Sequence, residues 1–232
     1  GILNSSSPTD ISNCELSNNA DWAIYIDNAA LREYPGNSGS GNGYDAIAIK
    51  GAVNQDITIS ESISGLPFVV NGLVTVYDGI SLTIPEGEII KMINGQIRVN
   101  GWIYCNGTAS QPIVFTSFLD DENGGDLNGD GNLTTPSSGD WKSLAVSGNG
   151  ANDGKGFIEH CRFLYGGADD NFGNSAVYFY AVDEGYFKYC HIEYSDIHGF
   201  HISQSSGVEF SGNVIKNASY WGIYNNGSTM DI

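Results

Sequence analysis

The stretch "FIEHCRFLYGG", residues 157–167, shares one frame with "YFKYCHIEYSD", residues 186–196. The frame is an apolar residue, two variable residues, a cysteine or asparagine, one variable residue and a second apolar residue. It recurs in "VEFSGNVIKN" (208–217) and "ISNCELSNN" (11–19). The four frames are Ile158–Cys161–Phe163, Phe187–Cys190–Ile192, Phe210–Asn213–Ile215 and Ile11–Cys14–Leu16. Repeats of this kind must stack to bury their apolar faces.

The spacing of the repeats identifies the stacked unit. Cys161 and Cys190 are 29 residues apart, and Cys190 and Asn213 are 23 residues apart. Each interval is typical of one coil of a β-solenoid. Short β-branched or aromatic runs bounded by Gly, Asn, Pro or Ser predict the strands DITIS (56–60), SLTIP (81–85), QIRVNG (96–101), PIVFTS (112–117) and AVYFY (176–180). Since no stretch has a helical period with caps, we predict an all-β solenoid in a single domain.

The frame also places the cysteines. Cys161 and Cys190 occupy the same position in neighbouring coils, where adjacent strands lie about 4.8 Å apart. We expect a column of small buried side chains, with Asn213 and Cys14 filling the same position elsewhere. A disulfide between neighbouring coils is sterically allowed at that separation and is the less favoured interpretation.

Charge excludes one class of partner. The 232 residues include 27 acidic and 9 basic side chains, a formal net charge of −18. Such a surface repels phosphate backbones, so we expect no nucleic-acid binding. The natural partners of this field are cations, calcium above all. No apolar run of about 18 residues occurs, so no membrane span is expected.

The first and last coils resemble each other. Five positions recur at a constant offset of 199 residues: Leu16, Asn18, Trp22, Ile24 and Tyr25 match Ile215, Asn217, Trp221, Ile223 and Tyr224. An uncapped solenoid end invites edge pairing. We therefore expect either one unit of a longer array of the same β-helix unit or chains that abut end to end. The opening residues, which lack an initiator Met, favour a mature product or a fragment.

Residues 67–117 resemble a module of secreted or surface right-handed parallel β-helix proteins of bacteria. The family form has a "V-x-x-G-x-x-LTI-x-x-G" entry, a "G-x-I-x-V-x-G" coil and a "GT-x-x-x-PI-x-FTS" segment, here within 76–87, 95–101 and 107–117. An acidic loop and "GDW" (139–141) follow, and the match spans about residues 45–228. The resemblance implies a right-handed parallel β-helix, often without assigned chemistry.

We predict a single β-helix over residues 1–232, which divides into four segments. Residues 1–60 are coils that resemble the end of a preceding unit, and residues 61–117 are entry coils. Residues 118–140 form an acidic loop that we expect to hang off the solenoid as a long excursion. Residues 141–232 return to regular coils.

The acidic loop contains "DDENGGDLNGDGN", residues 120–132, with five carboxylates and no lysine or arginine. Asp126, Asn128 and Asp130 have the spacing of the first half of an EF-hand loop, although Ser137 replaces its final Glu. Clustered carboxylates repel one another unless a cation lies among them. We therefore predict a structural Ca²⁺ site; the alternative is a solvated acidic loop. Its candidate ligands are Asp126, Asn128, Asp130, Asp120 and Asp121.

Catalysis is the alternative function, because right-handed β-helices include polysaccharide lyases, hydrolases and epimerases. Stacking the coils places three pairs side by side, all on one outward face: Glu159 with Lys188, Arg162 with His191, and Glu193 with Lys216. A lyase would take its base from Lys188, Arg162 or His191, with calcium at the uronate. Ordinary cross-strand pairing explains the same pairs equally well. His191, His198 and His201 are expected to face different surfaces, which disfavours a histidine metal site.

Together these patterns predict an extracellular, calcium-stabilised structural or adhesive β-helix rather than an enzyme. Eight aromatic residues crowd the C-terminal third: Tyr165, Tyr178, Tyr180, Tyr189, Tyr194, Tyr220, Trp221 and Tyr224. Those that face outward could bind glycans or other surface molecules. The alternative is a calcium-dependent polysaccharide lyase or a related carbohydrate-active enzyme.

Overall fold

The computed structural model describes residues 1–148, 154–169 and 173–231. These ranges contain many short strands and one helical turn, α1 (Glu61–Ser64). The strands are β1 (Ile2–Ser5), β2 (Glu15–Ser17), β3 (Trp22–Ala30), β4 (Ser38–Ser40), β5 (Tyr44–Val53), β6 (Ile57–Thr58), β7 (Phe68–Val76), β8 (Ser81–Pro85), β9 (Ile89–Val99), β10 (Trp102–Asn106), β11 (Ile113–Ser117), β12 (Leu144–Ser147), β13 (Lys155–Glu159), β14 (Cys161–Leu164), β15 (Ser175–Tyr180), β16 (Gly185–Lys188), β17 (His191–Glu193), β18 (His198–Ser203), β19 (Val208–Ser211), β20 (Val214–Lys216), β21 (Ile223–Asn226) and β22 (Met230–Asp231). Each of the five predicted strands overlaps one of these.

The strands stack as a parallel β-helix of about nine turns. One sheet runs rung by rung in the order β1-β3-β5-β7-β9-β11-β14-β17-β20, and a branch β12-β15-β18-β21 leaves it at β9. A second sheet of seven strands has the order β22-β19-β16-β13-β10-β8-β6. The prediction of an all-β parallel β-helix is confirmed. No helix in the described ranges is long and apolar enough to cross a membrane.

Equivalent inward side chains form columns along the solenoid axis. The rings of Phe115 and Phe163, paired residues of β11 and β14, lie 4.8 Å apart and within 1° of parallel. The rings of Phe187 and Phe210, paired residues of β16 and β19, lie 5.6 Å apart. All four rings are buried. Because strand spacing repeats at about 4.8 Å, the same residue type in successive coils stacks without a gap. This stacking explains why the apolar positions of the sequence frame recur.

The cysteine column has the predicted arrangement. The backbone N–H of Cys161 donates to Sγ of Cys190 at 3.4 Å, and the backbone N–H of Cys190 donates to Oδ1 of Asn213 at 2.9 Å. Cys161 and Cys190 are fully buried, and all four cysteines are free thiols. Burial raises the pKa of Cys161 well above its usual range. The thiols therefore act as small core side chains.

The asparagine of the frame joins one coil to the previous one. Nδ2 of Asn213 donates to the carbonyl of Phe187 at 2.7 Å, while its Oδ1 accepts from Cys190. Asn37 makes the same two bonds with the carbonyl of Ile11 and the N–H of Cys14, at 3.1 and 3.0 Å. A side-chain amide can satisfy a donor and an acceptor at once. Asparagine at this position therefore pins neighbouring coils in register.

The acidic loop leaves the coils after β11 and returns before β12, and apolar residues of its first half pack against the outer side of the solenoid. Phe118 at its start lies 5.7 Å from Trp22 and 5.6 Å from Tyr44, both on the outer side of the first rungs. Ala48 and Val69 belong to the same outer cluster and are fully buried. The physical reason is hydrophobic: these rungs expose apolar side chains outward, and the loop removes them from water.

The chain returns from the loop to the coils at Trp141. This side chain is fully buried, and its Nε1 donates to the carbonyl of Leu164 at 2.7 Å. Gly166 permits the close packing, because a Cβ at that position would lie 2.6 Å from the indole ring. The "GDW" element therefore closes the loop onto the core.

Candidate functional site

The three predicted cross-coil pairs exist in register. Glu159 is opposite Lys188, Arg162 is opposite His191, and Glu193 is opposite Lys216. The prediction that they share one face is wrong. The first pair belongs to the seven-stranded sheet, and the other two pairs belong to the 13-stranded sheet. A corner separates the two sheets at His160, whose φ of 47° turns the chain.

A groove lies on the outer side of β14, β17 and β20. It has a volume of about 620 Å³ and is open to solvent. Four polar side chains reach it from these short strands: Arg162, His191, Glu193 and Lys216. They point outward because inward positions alternate with outward ones along each strand, and the neighbouring Phe163 and Ile192 fill the core.

Aromatic pairs stand at both ends of these short strands. His160 and Tyr189, which line the groove, stack at 5.0 Å with planes 15° apart. Tyr165 and Tyr194, at the other end of β14 and β17, stack at 5.2 Å with planes 7° apart. All four have positive φ between 47° and 65°. A left-handed backbone costs about 1–2 kcal/mol at a non-glycine residue. Aromatic residues therefore occupy corner positions at which glycine would avoid that conformational cost.

The floor of the groove carries positive charge on a strongly acidic chain. Nζ of Lys216 lies 3.1 Å from a carboxylate oxygen of Glu193. Arg162 and His191 are adjacent on the neighbouring rungs, so the floor has one acidic side chain against two permanent cations and an imidazole. The net charge of the whole chain is −18. The groove floor therefore carries a charge opposite in sign to that of the whole chain.

Lys188 does not lie in this groove. Its Nζ is 2.6 Å from a carboxylate oxygen of Glu209 and 4.8 Å from the centre of the Tyr186 ring. The hydrogen bond with Glu209 raises the pKa of Lys188 above its ordinary value. A lysine held protonated in an ion pair is a poor general base. Of the three predicted catalytic residues, the structure brings together only Arg162 and His191.

The acidic loop brings three of its carboxylates together. Asp121, Asp126 and Asp130 each offer one oxygen, and these oxygens lie within 4.8 Å of one another. Oδ1 of Asp121 is buried without a hydrogen-bond partner. Asp126 accepts from the backbone N–H groups of Asp130 and Gly131, at 3.1 and 2.8 Å. The hydroxyl of Thr134 lowers the pKa of Asp130. The loop is thus folded around its carboxylates.

The other two predicted metal ligands differ in their surroundings. The carboxylate of Asp120 is buried and accepts from the hydroxyl of Thr116 at 2.5 Å and from Nδ2 of Asn123 at 2.8 Å. Nδ2 of Asn128 donates to Asp130 at 3.0 Å, which places Asn128 beside the triad. The converging carboxylates of the described ranges are Asp121, Asp126 and Asp130.

Lys91 is the residue that sequence reasoning missed. It rises from β9 beneath the loop, is 1% exposed, and its Nζ donates to the carbonyls of Asp120 and Gly125 at 2.8 and 2.5 Å. Burial lowers the pKa of Lys91, and the carboxylates of Asp120, Asp121 and Asp126 oppose that shift. The loop therefore has a cation of its own. The available signal was a single lysine inside the apolar run "IIKMI", residues 89–93.

Histidines and tyrosines also stack on the branch sheet. His201 lies 4.6 Å from Tyr178 and 4.5 Å from Tyr224, ring centre to ring centre. His198 is 6.2 Å from His201, so the expectation that all three histidines face different surfaces holds only for His191. Burial lowers the pKa of both His198 and His201.

The family comparison agrees with this architecture. The profile of the pectate-lyase-like β-helix domain matches residues 51–231, which include the acidic loop and the groove. This chain belongs to that family. No curated protein and no solved structure matches the chain.

Membership in the pectate-lyase-like β-helix family confirms the predicted kinship with parallel β-helix modules. Domains of this family are often extracellular. The matched region begins within β5, so the coils of β1 to β4 precede it. The acidic triad lies in the loop between β11 and β12 and does not line the groove.

Proposed function

We propose that this pectate-lyase-like β-helix is an extracellular adhesive module that binds acidic polysaccharides in the groove of β14, β17 and β20. The cationic floor between aromatic corners carries the proposal. Arg162 provides a planar fork that matches a carboxylate, the group that distinguishes uronic acids from neutral sugars. Tyr189 provides an exposed ring, 51% accessible, against which a sugar ring can pack.

The shape of the groove also favours a polymer. A parallel β-helix repeats its outward positions every coil, so the groove continues from rung to rung. Arg162, His191 and Lys216 come from three successive coils. Successive charged sugars of one chain could therefore meet successive basic side chains. An extended ligand gains affinity from several weak contacts in a row.

Calcium is proposed as a structural ion of the acidic loop, at Asp121, Asp126 and Asp130. Hard carboxylate oxygens are the ligands that Ca²⁺ prefers. The support is the convergence of three carboxylates and the unsatisfied buried oxygen of Asp121. Because the loop covers the apolar outer side of the first rungs, the ion would stabilise that cover.

The binding test compares charged with neutral sugars. Oligogalacturonate should bind in titration calorimetry, and the same oligosaccharide with its carboxylates reduced to alcohols should bind at least about tenfold more weakly, since about 1.4 kcal/mol corresponds to tenfold. Arg162→Gln should produce a loss of similar size. Lys50→Gln serves as the matched control, because Lys50 pairs with Asp27 far from the groove.

Two results would oppose the binding proposal. One is equal affinity for the charged and the reduced oligosaccharide, which would show that the cationic floor of the groove does not contribute to binding. The other is unchanged affinity in both Arg162→Gln and Tyr189→Ala, which would place any binding outside the groove.

Polysaccharide lyase activity is a second candidate, favoured by the adjacency of Arg162 and His191 in the groove of a pectate-lyase-like domain. The same oligogalacturonate samples test it. Release of unsaturated product, detected by ultraviolet absorbance, would indicate β-elimination. Loss of that product in Arg162→Ala but not in Lys188→Ala would assign the chemistry to the groove.

A further inference from the structure

One corner of the groove carries a glycine where the two preceding coils carry rings. His160, Tyr189 and Gly212 occupy the same corner in successive coils, since the N–H of His160 donates to the carbonyl of Lys188 and the N–H of Tyr189 donates to the carbonyl of Ser211. All three have positive φ, of 47°, 52° and 66°, and all three line the groove. The column of rings therefore ends at Tyr189, because the next coil places no side chain at this corner.

The missing side chain makes room for the Tyr189 ring. A Cβ on Gly212 would lie 2.5 Å from Cδ1 and 2.7 Å from Cε1 of that ring. Glycine is the residue that permits such a close approach, so the ring lies in space that any other residue at 212 would fill. On its other side the ring stacks on His160 at 5.0 Å, and yet 51% of Tyr189 is exposed. The ring is thus held on two sides and open toward the groove.

The same dipeptide occurs at three corners of the solenoid: Gly36-Asn37, Gly41-Asn42 and Gly212-Asn213. In each, the asparagine amide donates to a carbonyl of the preceding coil, at 3.1, 2.7 and 2.7 Å. In each, the glycine has a φ between 66° and 69° and leaves room for the corner side chain of the preceding coil. The dipeptide is therefore a common device for stacking one coil on another.

The side chain that lies over the glycine differs between these corners. A Cβ on Gly36 would lie 2.5 Å from Oδ1 of Asn13, and a Cβ on Gly41 would lie 3.0 Å from Oδ1 of Asn18. Asparagine is among the non-glycine residues enriched at positive φ. A tyrosine is not needed for the stacking device, because asparagine serves it twice. The large ring of Tyr189 at the groove therefore has another role.

We propose that Gly212 is a positioning residue of a ring-stacking subsite, in which the ring of Tyr189 packs against the apolar face of a pyranose. The inference rests on the proposed glycan binding and divides it into two contributions. Arg162 interacts with the carboxylate of the sugar. The ring of Tyr189 contacts C–H groups, which neutral and acidic sugars share. The subsite therefore accepts both kinds of pyranose, and the preference for acidic sugars comes from the cationic floor.

Titration calorimetry with Gly212→Ala tests the role of the glycine, and Gly36→Ala is the matched control. Both substitutions add a Cβ at nearly the same φ, 2.5 Å from a side-chain atom of the preceding coil. The two variants should therefore show similar falls in melting temperature. Only Gly212→Ala should weaken the binding of oligogalacturonate, by about three- to tenfold, the size of one aromatic contact.

The reduced oligosaccharide, which lacks carboxylates, tests the class of sugar. Gly212→Ala should weaken its binding by the same factor as that of oligogalacturonate, whereas Arg162→Gln should weaken the binding of oligogalacturonate alone. In the background of Tyr189→Ala, the change Gly212→Ala should have no further effect on affinity, because no ring remains to be displaced.

Tyr189→Asn is a second variant, which does not depend on the folding of Gly212→Ala. It places at the groove the residue type of the other two corners, so the protein should keep its melting temperature. Its affinity for both oligosaccharides should fall by about the same three- to tenfold. Unchanged affinity in this variant would refute the subsite.

Three further results would overturn the inference while the proposed function stands. They are equal affinities of Gly212→Ala and Gly36→Ala, a loss in Gly212→Ala for the charged oligosaccharide only, and a further loss when Gly212→Ala is added to Tyr189→Ala. The converse result is a loss in Gly212→Ala when the unaltered protein binds both oligosaccharides equally. It would refute the acidic preference and support the subsite. Binding of neither oligosaccharide by the unaltered protein would overturn both.

Discussion

The outer side of the large sheet has two halves that differ in chemistry. On the first rungs the outward residues are apolar, and the acidic loop covers them through Phe118. On β14, β17 and β20 the outward residues are Arg162, His191, Glu193 and Lys216, and they are open to solvent. The backbone of both halves is the same ladder of parallel strands. The outward side chains alone therefore determine which half is covered and which half is open to solvent.

The two matched tryptophans give the largest expected contrast. Trp22→Ala empties the covered outer cluster and should cost about 3–5 kcal/mol of unfolding free energy, as large aromatic truncations in cores do. Trp221→Ala removes the same side chain from an exposed position and should change stability by about 0.5 kcal/mol or less. Urea unfolding of dilute protein measures both. Equal losses would mean that the two coils are covered alike.

Lys91 tests whether the acidic loop depends on its buried cation. Lys91→Met keeps most of the length of the side chain but removes its ammonium group. Two carbonyls then lose their hydrogen-bond donor, and three neighbouring carboxylates lose their nearby positive charge. We expect a loss of about 3 kcal/mol, the scale of removing one partner from a buried charged interaction. Lys50→Met is the control, since its partially exposed pair with Asp27 is worth less than about 1 kcal/mol. Similar losses in the two variants would contradict the role of Lys91.

Calcium removal should affect the covered half only. At free calcium about a hundred times Kd, a bound ion adds about 2.7 kcal/mol of stability, and EDTA should remove it. The melting temperature should fall with EDTA in the unaltered protein and not in the double variant Asp126→Asn, Asp130→Asn. If EDTA leaves the melting curve unchanged, calcium does not stabilise the loop, and Lys91 alone balances the charge of its carboxylates. Oligosaccharide affinity should persist in EDTA, because the triad does not line the groove.

The smallest expected effect is a pH dependence that arises in neither half, from two histidines of β18 in the branch of the large sheet. Burial lowers the pKa of His201 and His198 in the folded protein, so the unfolded chain binds their protons first. Stability should therefore be complete above the ordinary histidine pKa of about 6.5 and decline as the pH falls below it. In His201→Gln the melting temperature should change less between neutral and mildly acidic pH. If the melting temperature of the variant changes with pH as much as that of the unaltered protein, the pH dependence arises from other groups.

The register of the coils was predictable because it depends on a local frame. The spacing of Cys161, Cys190 and Asn213 was enough to place Arg162 beside His191 and Glu193 beside Lys216. The assignment of faces failed at one point, since the frame did not show that the corner at His160 lies between Glu159 and Arg162. A residue with positive φ turns the chain at a single position, and a histidine there has no distinctive sequence signal.

The acidic loop shows the limit more clearly. Its carboxylates and its half EF-hand spacing were visible in the sequence, and Asp121, Asp126 and Asp130 do converge. Its cation Lys91 lies 29 residues before Asp120, in another coil. The apolar contact of Phe118 with Trp22 joins residues much further apart. Such contacts depend on which rung the loop crosses, and the sequence pattern does not contain that information.

Sequence alone determined that this chain is a stack of short parallel strands, because a repeated apolar frame can bury itself only against its own neighbours. It also determined which side chains share a column. Only the tertiary structure decided that the acidic loop covers the first rungs and that Lys91 lies beneath this loop. It also decided that a corner of the coil places Lys188 and Arg162 on different sheets. Periodicity follows from spacing along the chain, whereas covering and charge neutralisation follow from distances through space.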